Sequence, residues 1–374
     1  MLTRLLIVFL LPGIVLAQSG LDQKDQLVTE VLSLFNAQHF SPRVTEAKLE
    51  KVNLPFPEKP RLELGDQGRI ISQDVTFTTL PFGDLSDDFG ERAGYQLLWN
   101  LSFLQALNKI INFDFILSFG KQRVEASFSR IYPFQLDQEN KQFFREKLSI
   151  LAPDNLKSYA LTSFRLIDDL DDPTWLYSPM VEKYRRLTGS SRSDNLFETL
   201  SALNDLMVFS GRPDQYNPKL TGKVEALVPI INSKINETTL QGTCFLIPYL
   251  LNLPKELVPR ISDFEFIKRK LLRLELVPRD PYSATGSEVL YVDAETLLPV
   301  YRVIYNRETD KYKIIIGVLQ LVKTDFVRGF SPVVFTYDLI NNKEQVLVAD
   351  HAKFCKEYID AAQYRSFDPS MLGK

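Results

Sequence analysis

What this chain has little of narrows its chemistry first. Its 374 residues include two histidines, His39 and His351, and two cysteines, Cys244 and Cys355. A nucleophilic triad needs a base beside a serine or cysteine, and no G-x-S-x-G is present. H-E-x-x-H, C-x-x-C and a glycine-rich phosphate loop are missing as well. In "HAKFC", His351 and Cys355 are four apart. On a helix they would share a face, as a metal pair or a Cys–His dyad, but such spacing arises far more often by coincidence. The sequence therefore leads us to expect no enzyme, no metal and no cofactor. The net charge is −3, which lacks the basic footprint of a nucleic-acid partner. There is no fixed-period repeat and no low-complexity segment. Beyond the first residues no apolar run is long enough to span a bilayer.

Those first residues, "MLTRLLIVFLLPGIVLAQSG", carry Arg4 and then an apolar run from Leu5 to Leu16. Val15 and Ala17 are the small residues at the −3 and −1 positions of a cleavage site before Gln18. Residues 1–17 thus read as a secretory signal peptide. The competing reading is a membrane anchor. The run is interrupted by Pro12 and Gly13 and, at about 12 residues, is short for a span. We expect residues 18–374 to form a single soluble exported domain. Export permits a disulfide. Cys244 and Cys355 are 111 positions apart, and spacing leaves both a bridge and two buried thiols open. Sequons at Asn100 and Asn236 matter only in a eukaryotic source.

Residues 21–38 place Leu27, Val28, Val31, Leu32 and Phe35 at helical spacing. Residues 41–90 are proline-rich and irregular, and 94–109 predict an apolar helix. A hairpin is expected from 113–119 and 122–130, turning at Gly120 and Lys121. Residues 136–158 are polar and expected to be helical. Strands are expected at 159–167, 224–231 and 270–279. A meander is expected at 287–292, 299–305 and 311–322, and a hairpin turning at Asn341 and Asn342. The tail from Phe354 to Ala362 reads as a short helix. So many strands with short turns must close into a barrel or have their inner face covered. The expected fold is α+β and mainly antiparallel β: a half-open curved barrel covered by a few helices, with an apolar concave side that leaves room for a ligand.

The acidic run Asp168, Asp169, Asp171, Asp172 lacks the spacing of a calcium loop and reads as a solvated turn. Trp175 and Tyr177 share one face of a strand and Leu176 takes the other, as in core or a cavity wall. Pro179 ends that strand. Arg185 and Arg186 point to opposite faces of the next one. One of them would turn inward and need a carboxylate, with Asp194, Glu198 and Asp205 as candidates. An inward arginine could also meet an anionic headgroup. Carboxylate pairs for glycoside hydrolysis meet only in three dimensions, so a hydrolase acting on an envelope glycan or ester stays open at this point.

"DDPTWLYSPMVEKYRRLTGSSRSD", followed by "NDLMVFSGRPDQYNPKLTGKVEALVPI", resembles the DUF1329 family of exported bacterial proteins. Trp175, Tyr177, Pro179, Arg185, Arg186, Asp205, Phe209, Gly211, Asp214, Tyr216, Leu220, Gly222 and Lys223 fall on its pattern. "GYQLLWN", with Gly94, Trp99 and Asn100, resembles its helix start, and "FDPSMLGK" its terminal F-x-P-x-x-L. The likeness runs over about residues 80–374. Leu101 stands where the family usually has histidine, and "VPIIN" replaces an aromatic P-Y-N. The family is similar to the lipoprotein-sorting carriers of the LolA and LolB type. What this resemblance implies is a half-open antiparallel barrel that holds acyl chains, association with transport beside membrane pumps, and no reaction. The expected role is a periplasmic carrier of a lipid or other apolar molecule. The alternative is an accessory protein docking on an inner-membrane transporter or an outer-membrane protein. Trp99, Asn100, Trp175, Tyr177, Pro179, Arg185, Arg186 and Asp205 are the candidate cavity or motif residues. In the docking alternative Arg192 would join the two adjacent arginines.

Overall fold

Strand-period alternation begins at Ile110 and dictates most of the architecture. In the strand Gln122–Ile131 every second residue from Val124 to Arg130 is buried, while Arg123, Glu125, Ser127 and Ser129 are half-exposed. Such a pattern gives one face to a core. The structure is a computed structural model. It describes residues 42–45, 53–72, 75–85, 87–133, 141–167, 171–187, 192–231, 239–241, 243–247, 258–308, 311–321, 329–357 and 360–373, all within the unit Ser41–Lys374. The leader, the helix expected at 21–38, His39, Asp168, Asp169 and Asn236 lie outside the described residues.

The strands are β1 Arg43–Val44, β2 Ile110–Phe119, β3 Gln122–Ile131, β4 Gln142–Ala152, β5 Ala160–Leu166, β6 Thr174–Ser178, β7 Lys183–Leu187, β8 Tyr216–Ile230, β9 Thr239–Gln241, β10 Cys244–Ile247, β11 Glu265–Pro278, β12 Thr285–Asp293, β13 Pro299–Asn306, β14 Lys311–Leu321, β15 Gly329–Asp338 and β16 Lys343–Cys355. The helices are α1 Glu91–Ala106 and α2 Ala361–Arg365. All sixteen described strands join one sheet: thirteen follow the order β1-β11-β12-β13-β14-β15-β16-β2-β3-β4-β5-β6-β7, while β8 pairs with β11 and β14, β10 with β16, and β9 with β10. Pairing is antiparallel throughout, apart from β1 on β11 and one bridge from Ile230 to Leu319. The hairpins and the meander stand where the sequence puts them.

The sheet is strongly curved. Glu146 on β4 and Arg302 on β13 are six strands apart in this order, about 29 Å in a flat sheet. Yet Asn204 links them: its carbonyl accepts from Arg302 at 3.1 Å, and its side chain accepts from Arg192, which itself bonds Glu146. Beyond a register shift at Arg273/Leu274, β8 and β11 bend back over the other face. There the Ile231 amide donates to the Leu319 carbonyl at 2.9 Å, and the rings of Phe264 and Phe335 lie 6.0 Å apart. The concave face carries the main core, including Leu272, Leu290, Ile304, Ile315, Val334, Leu347, Phe115, Phe128 and Leu148, with α1 laid over part of it. The back-folded strands cover Ile314, Ile316 and Phe335 on the reverse.

Two expected elements are different. Residues 142–152 form β4 and not a helix. Phe144, Glu146, Leu148 and Ile150 all point inward, but Glu146 does so as an ion. A charge at an apolar position broke the period the sequence showed. Nor is the tail helical from Phe354. β16 runs on to Cys355, whose sulfur is bonded to that of Cys244 on the neighbouring strand, and α2 begins only at Ala361.

Candidate functional site

The concave face is apolar, as expected, but it is filled. Helix α1 contributes Leu97, Trp99, Leu101 and Phe103 to the buried cluster that fills it. Phe77, Phe103 and Phe143 pack ring against ring at 5.0–5.4 Å. The rest is covered by an irregular segment, residues 192–215, which joins the β7 side of the sheet to β8. Leu200, Ala202, Leu203, Leu206, Val208 and Phe209 of this segment are buried. A void in this interior beside Leu101, Phe144 and Phe209 measures about 10 Å³, no larger than one water molecule needs. A cleft of about 860 Å³ lies elsewhere, between residues 60–72 and the first turns of α1. Its lining mixes the charged Arg61, Glu63, Glu91 and Arg92 with the apolar Leu62, Leu64 and Phe82. Among the described residues this face shows no open, oily cavity of the kind expected. The covering segment takes up the space.

Buried ions hold that segment. At one end Arg192 and Arg130 share Glu146, with Arg130 bonding it at 2.6 Å. Asp172 takes Arg165 at 2.8 Å, Arg212 at 3.1 Å and Arg192 at 3.3 Å. Arg212 also grips Asp214 through two nitrogens, at 2.5 and 2.9 Å. The ring of Phe144 lies between the guanidinium groups of Arg130 at 4.3 Å and Arg165 at 4.7 Å. At the other end Asp205 accepts from Arg302 at 2.8 Å and from Lys313 at 3.3 Å, and the Leu200 amide donates to the Gln345 side chain at 2.7 Å. Burial alone would raise the Asp172 carboxyl. The three arginines outweigh burial and hold it at about 2. Glu146 and Asp205 are likewise raised by burial and, on balance, lowered by their cations. One guanidinium nitrogen, Nη2 of Arg192, is buried with no partner among the described residues. These carboxylates are saturated by cations and are not free to exchange protons with a substrate.

The residues singled out from the sequence do not meet at one place. Trp99 and Asn100 belong to α1 and bond the irregular residues that precede it in the chain. The Trp99 indole donates to the Gly68 carbonyl at 2.8 Å. Asn100 accepts from the Phe82 amide at 3.0 Å and donates to the Phe82 carbonyl at 3.3 Å. Both tie the irregular residues 60–85 to the helix, and Asn100, 1% exposed, is no glycosylation acceptor. Replacing Asn100 by alanine should leave two buried backbone groups unpaired and cost about 2–3 kcal/mol, seen as a lower urea midpoint.

Trp175 and Tyr177 lie on the outer face of the sheet. Trp175 packs on Phe164 at 5.0 Å, and Gly373 sits so close to the Tyr177 ring that a Cβ there would collide with it. Arg145 stacks between Phe164 and Tyr364 and bonds Asp368 at 2.7 Å. The W-x-Y strand and the terminal F-x-P-x-x-L therefore pack on one another.

Arg185 and Arg186 are both exposed on β7, and Pro179 sits in the turn before it. Neither turns inward to an acid. The inward arginine is Arg192, and the Asp205 foreseen as a partner binds Arg302 and Lys313 instead. Asp172, read as part of a solvated turn, is fully buried. Arg130, Glu146, Arg165 and Glu288 carried no sequence signal beyond charges set in otherwise apolar strands, and Arg212 none beyond a charge in an irregular stretch. His351 stands on a strand beside Asp350, and Cys355 is spent in its disulfide, so no Cys–His dyad forms. Among the described residues no helix is long and apolar enough to cross a membrane, and no acidic, histidine and cysteine side chains gather as a metal site.

A family model described as "Protein of unknown function (DUF1329)" matches residues 57–372. No curated protein matches. Among solved structures, the fold is similar to an outer membrane lipoprotein-sorting protein domain from Vibrio parahaemolyticus. That likeness has a TM-score of 0.53 and 12% identity, over 76% of this chain and 100% of that one. A DUF1329 family protein from Desulfovibrio piger is similar at TM-score 0.52 and 14% identity, over 75% of this chain and 98% of that one. A LolA superfamily protein from Nitrosomonas europaea is a looser likeness, at TM-score 0.40 and 12% identity, over 71% and 96%.

Proposed function

This chain belongs to the DUF1329 family, and from that premise we propose that it is a periplasmic binding or carrier protein for a lipid or other apolar ligand. One observation carries the reading. The apolar concave face is covered by a helix and an irregular segment, and side-chain ions, not strand pairing, hold that segment in place. A cover of this kind can leave without unmaking the sheet. Each methylene of a ligand that replaced Leu203, Leu206 or Val208 on that face would recover about 0.8 kcal/mol of burial. The signal-like leader supports export to the periplasm. The likeness to a lipoprotein-sorting domain supports cargo with acyl chains. The reading assigns no reaction and no cofactor.

The test is mass spectrometry of the intact protein purified from a periplasm, with lipid extraction and titration with a fluorescent fatty acid. Bound lipid, or saturable uptake by the empty protein, is the expected result. A protein that arrives empty and takes up nothing would overturn it.

A further inference from the structure

We propose that the tip of the β6–β7 hairpin docks on an anionic lipid surface. β7 ends the sheet order, so this hairpin forms its outermost ribbon on that side. At its turn Met180 is 83% and Val181 61% exposed, and Tyr184 comes next at 52%. Apolar residues exposed singly mean little, but two neighbours at a hairpin tip with an aromatic behind them form a wedge. Directly behind the wedge stand Lys183, Arg185 and Arg186, all exposed, against the single acid Glu182. This local excess of positive charge sits on a chain whose net charge is −3.

The register distributes these cations. Tyr177 pairs with Tyr184 and Trp175 with Arg186, so Tyr184 and Arg186 share one face of the ribbon, while Lys183 and Arg185 take the other. A ribbon standing on a bilayer with its apolar tip at the acyl boundary would meet lipid phosphates on both sides. Tyr184 would sit at headgroup depth. The base of the ribbon is braced by Trp175 on Phe164 and by Tyr177 against Gly373, which lets it bear on a surface. Charged side chains also guard a free sheet edge against strand pairing, but guarding does not call for Met180 and Val181 at the tip. The β15–β16 turn makes the comparison. It exposes Ile340 at 61% and its neighbour Leu339 at 37%, but Lys343 is matched there by Glu344 and no excess of cations stands behind it.

This inference does not rest on the carrier reading, because pelleting with intact vesicles reports surface binding and not uptake. The full chain is sedimented with phosphatidylcholine vesicles, with and without phosphatidylglycerol. Binding is expected only with phosphatidylglycerol and should weaken as salt rises. Lys183→Glu with Arg185→Glu and Arg186→Glu should lower it about a hundredfold. Met180→Ser with Val181→Ser should lower it roughly tenfold. Ile340→Ser should leave it unchanged. Unchanged circular dichroism confirms that these exposed substitutions leave the fold intact. The proposal is overturned if the wild-type chain ignores phosphatidylglycerol vesicles, binds neutral ones equally, or binds equally after the charge reversals. It is overturned as well if these variants abolish only a concentration-dependent dimer, which would make a second copy of the chain the occupant.

Discussion

Replacing Asp172 by asparagine is expected to destabilise the protein by about 3–5 kcal/mol and to lower its Tm on the order of 10 °C. The shape of the side chain survives the change, but its charge does not. Asp172 is fully buried and meets Arg165, Arg212 and Arg192 at 2.8, 3.1 and 3.3 Å. Without it those cations lose the anion they converge on, in a place water does not reach. Acid should act on the same group. Its folded-state carboxyl lies at about 2, below the ordinary 3.8. A depressed carboxyl contributes stability that is complete above the unfolded value and is lost as pH falls through the folded one. The wild-type protein should therefore weaken between about pH 4 and pH 2, with Glu146 and Asp205 adding to the loss in the same direction. The Asp172→Asn variant should lack part of that acid limb. Urea unfolding at neutral and acidic pH measures both effects. Equal midpoints for the two proteins at neutral pH would show that the arginines do not depend on this carboxylate.

Replacing Asp205 by asparagine is expected to loosen the cover, not the whole fold. Asp205 accepts from Arg302 on β13, from Lys313 on β14 and from the Ala202 amide. Arg302 keeps Glu288 at 2.7 Å after the change, so the sheet retains a paired ion while the segment loses its anchor. If local opening becomes easier by about 2–3 kcal/mol, the open population rises roughly 30- to 150-fold. Amide exchange should accelerate by that factor in residues 192–215 and stay slow in β3 and β13. Uptake of a fluorescent fatty acid should quicken in parallel. Acceleration spread over every strand would mean that Asp205 supports the fold at large. Local acceleration without faster uptake would remove this segment from the route of a ligand.

How much of this could be read from the sequence depended on the kind of residue involved. β2, β3 and the meander from β12 to β14 announce themselves, because alternating apolar side chains and short turns leave few other ways to bury them. β4 did not, since Glu146 occupies an inward position and looks like surface until Arg130 and Arg192 are placed beside it. Asp172 failed for the same reason, within an acidic run that reads as solvated. The alternation of Trp175 and Tyr177 was legible, but not which face of the sheet they occupy. That depended on the C-terminal segment docking outside them.

The motif blocks were legible as residues and silent as structure. Trp99 and Asn100 proved to clamp residues 60–85, because only folding brings Gly68 and Phe82 to α1. By itself, the amino-acid order determined a mainly antiparallel, apolar-faced sheet with a helix before it, since period and turn chemistry act over a few residues. Only the tertiary structure decided that the sheet curves far enough for Arg192 and Asn204 to link β4 with β13, and that residues 192–215 fill the concave side. The reason is physical: a buried charge is tolerable only beside its partners, and these partners are drawn from strands far apart in the chain.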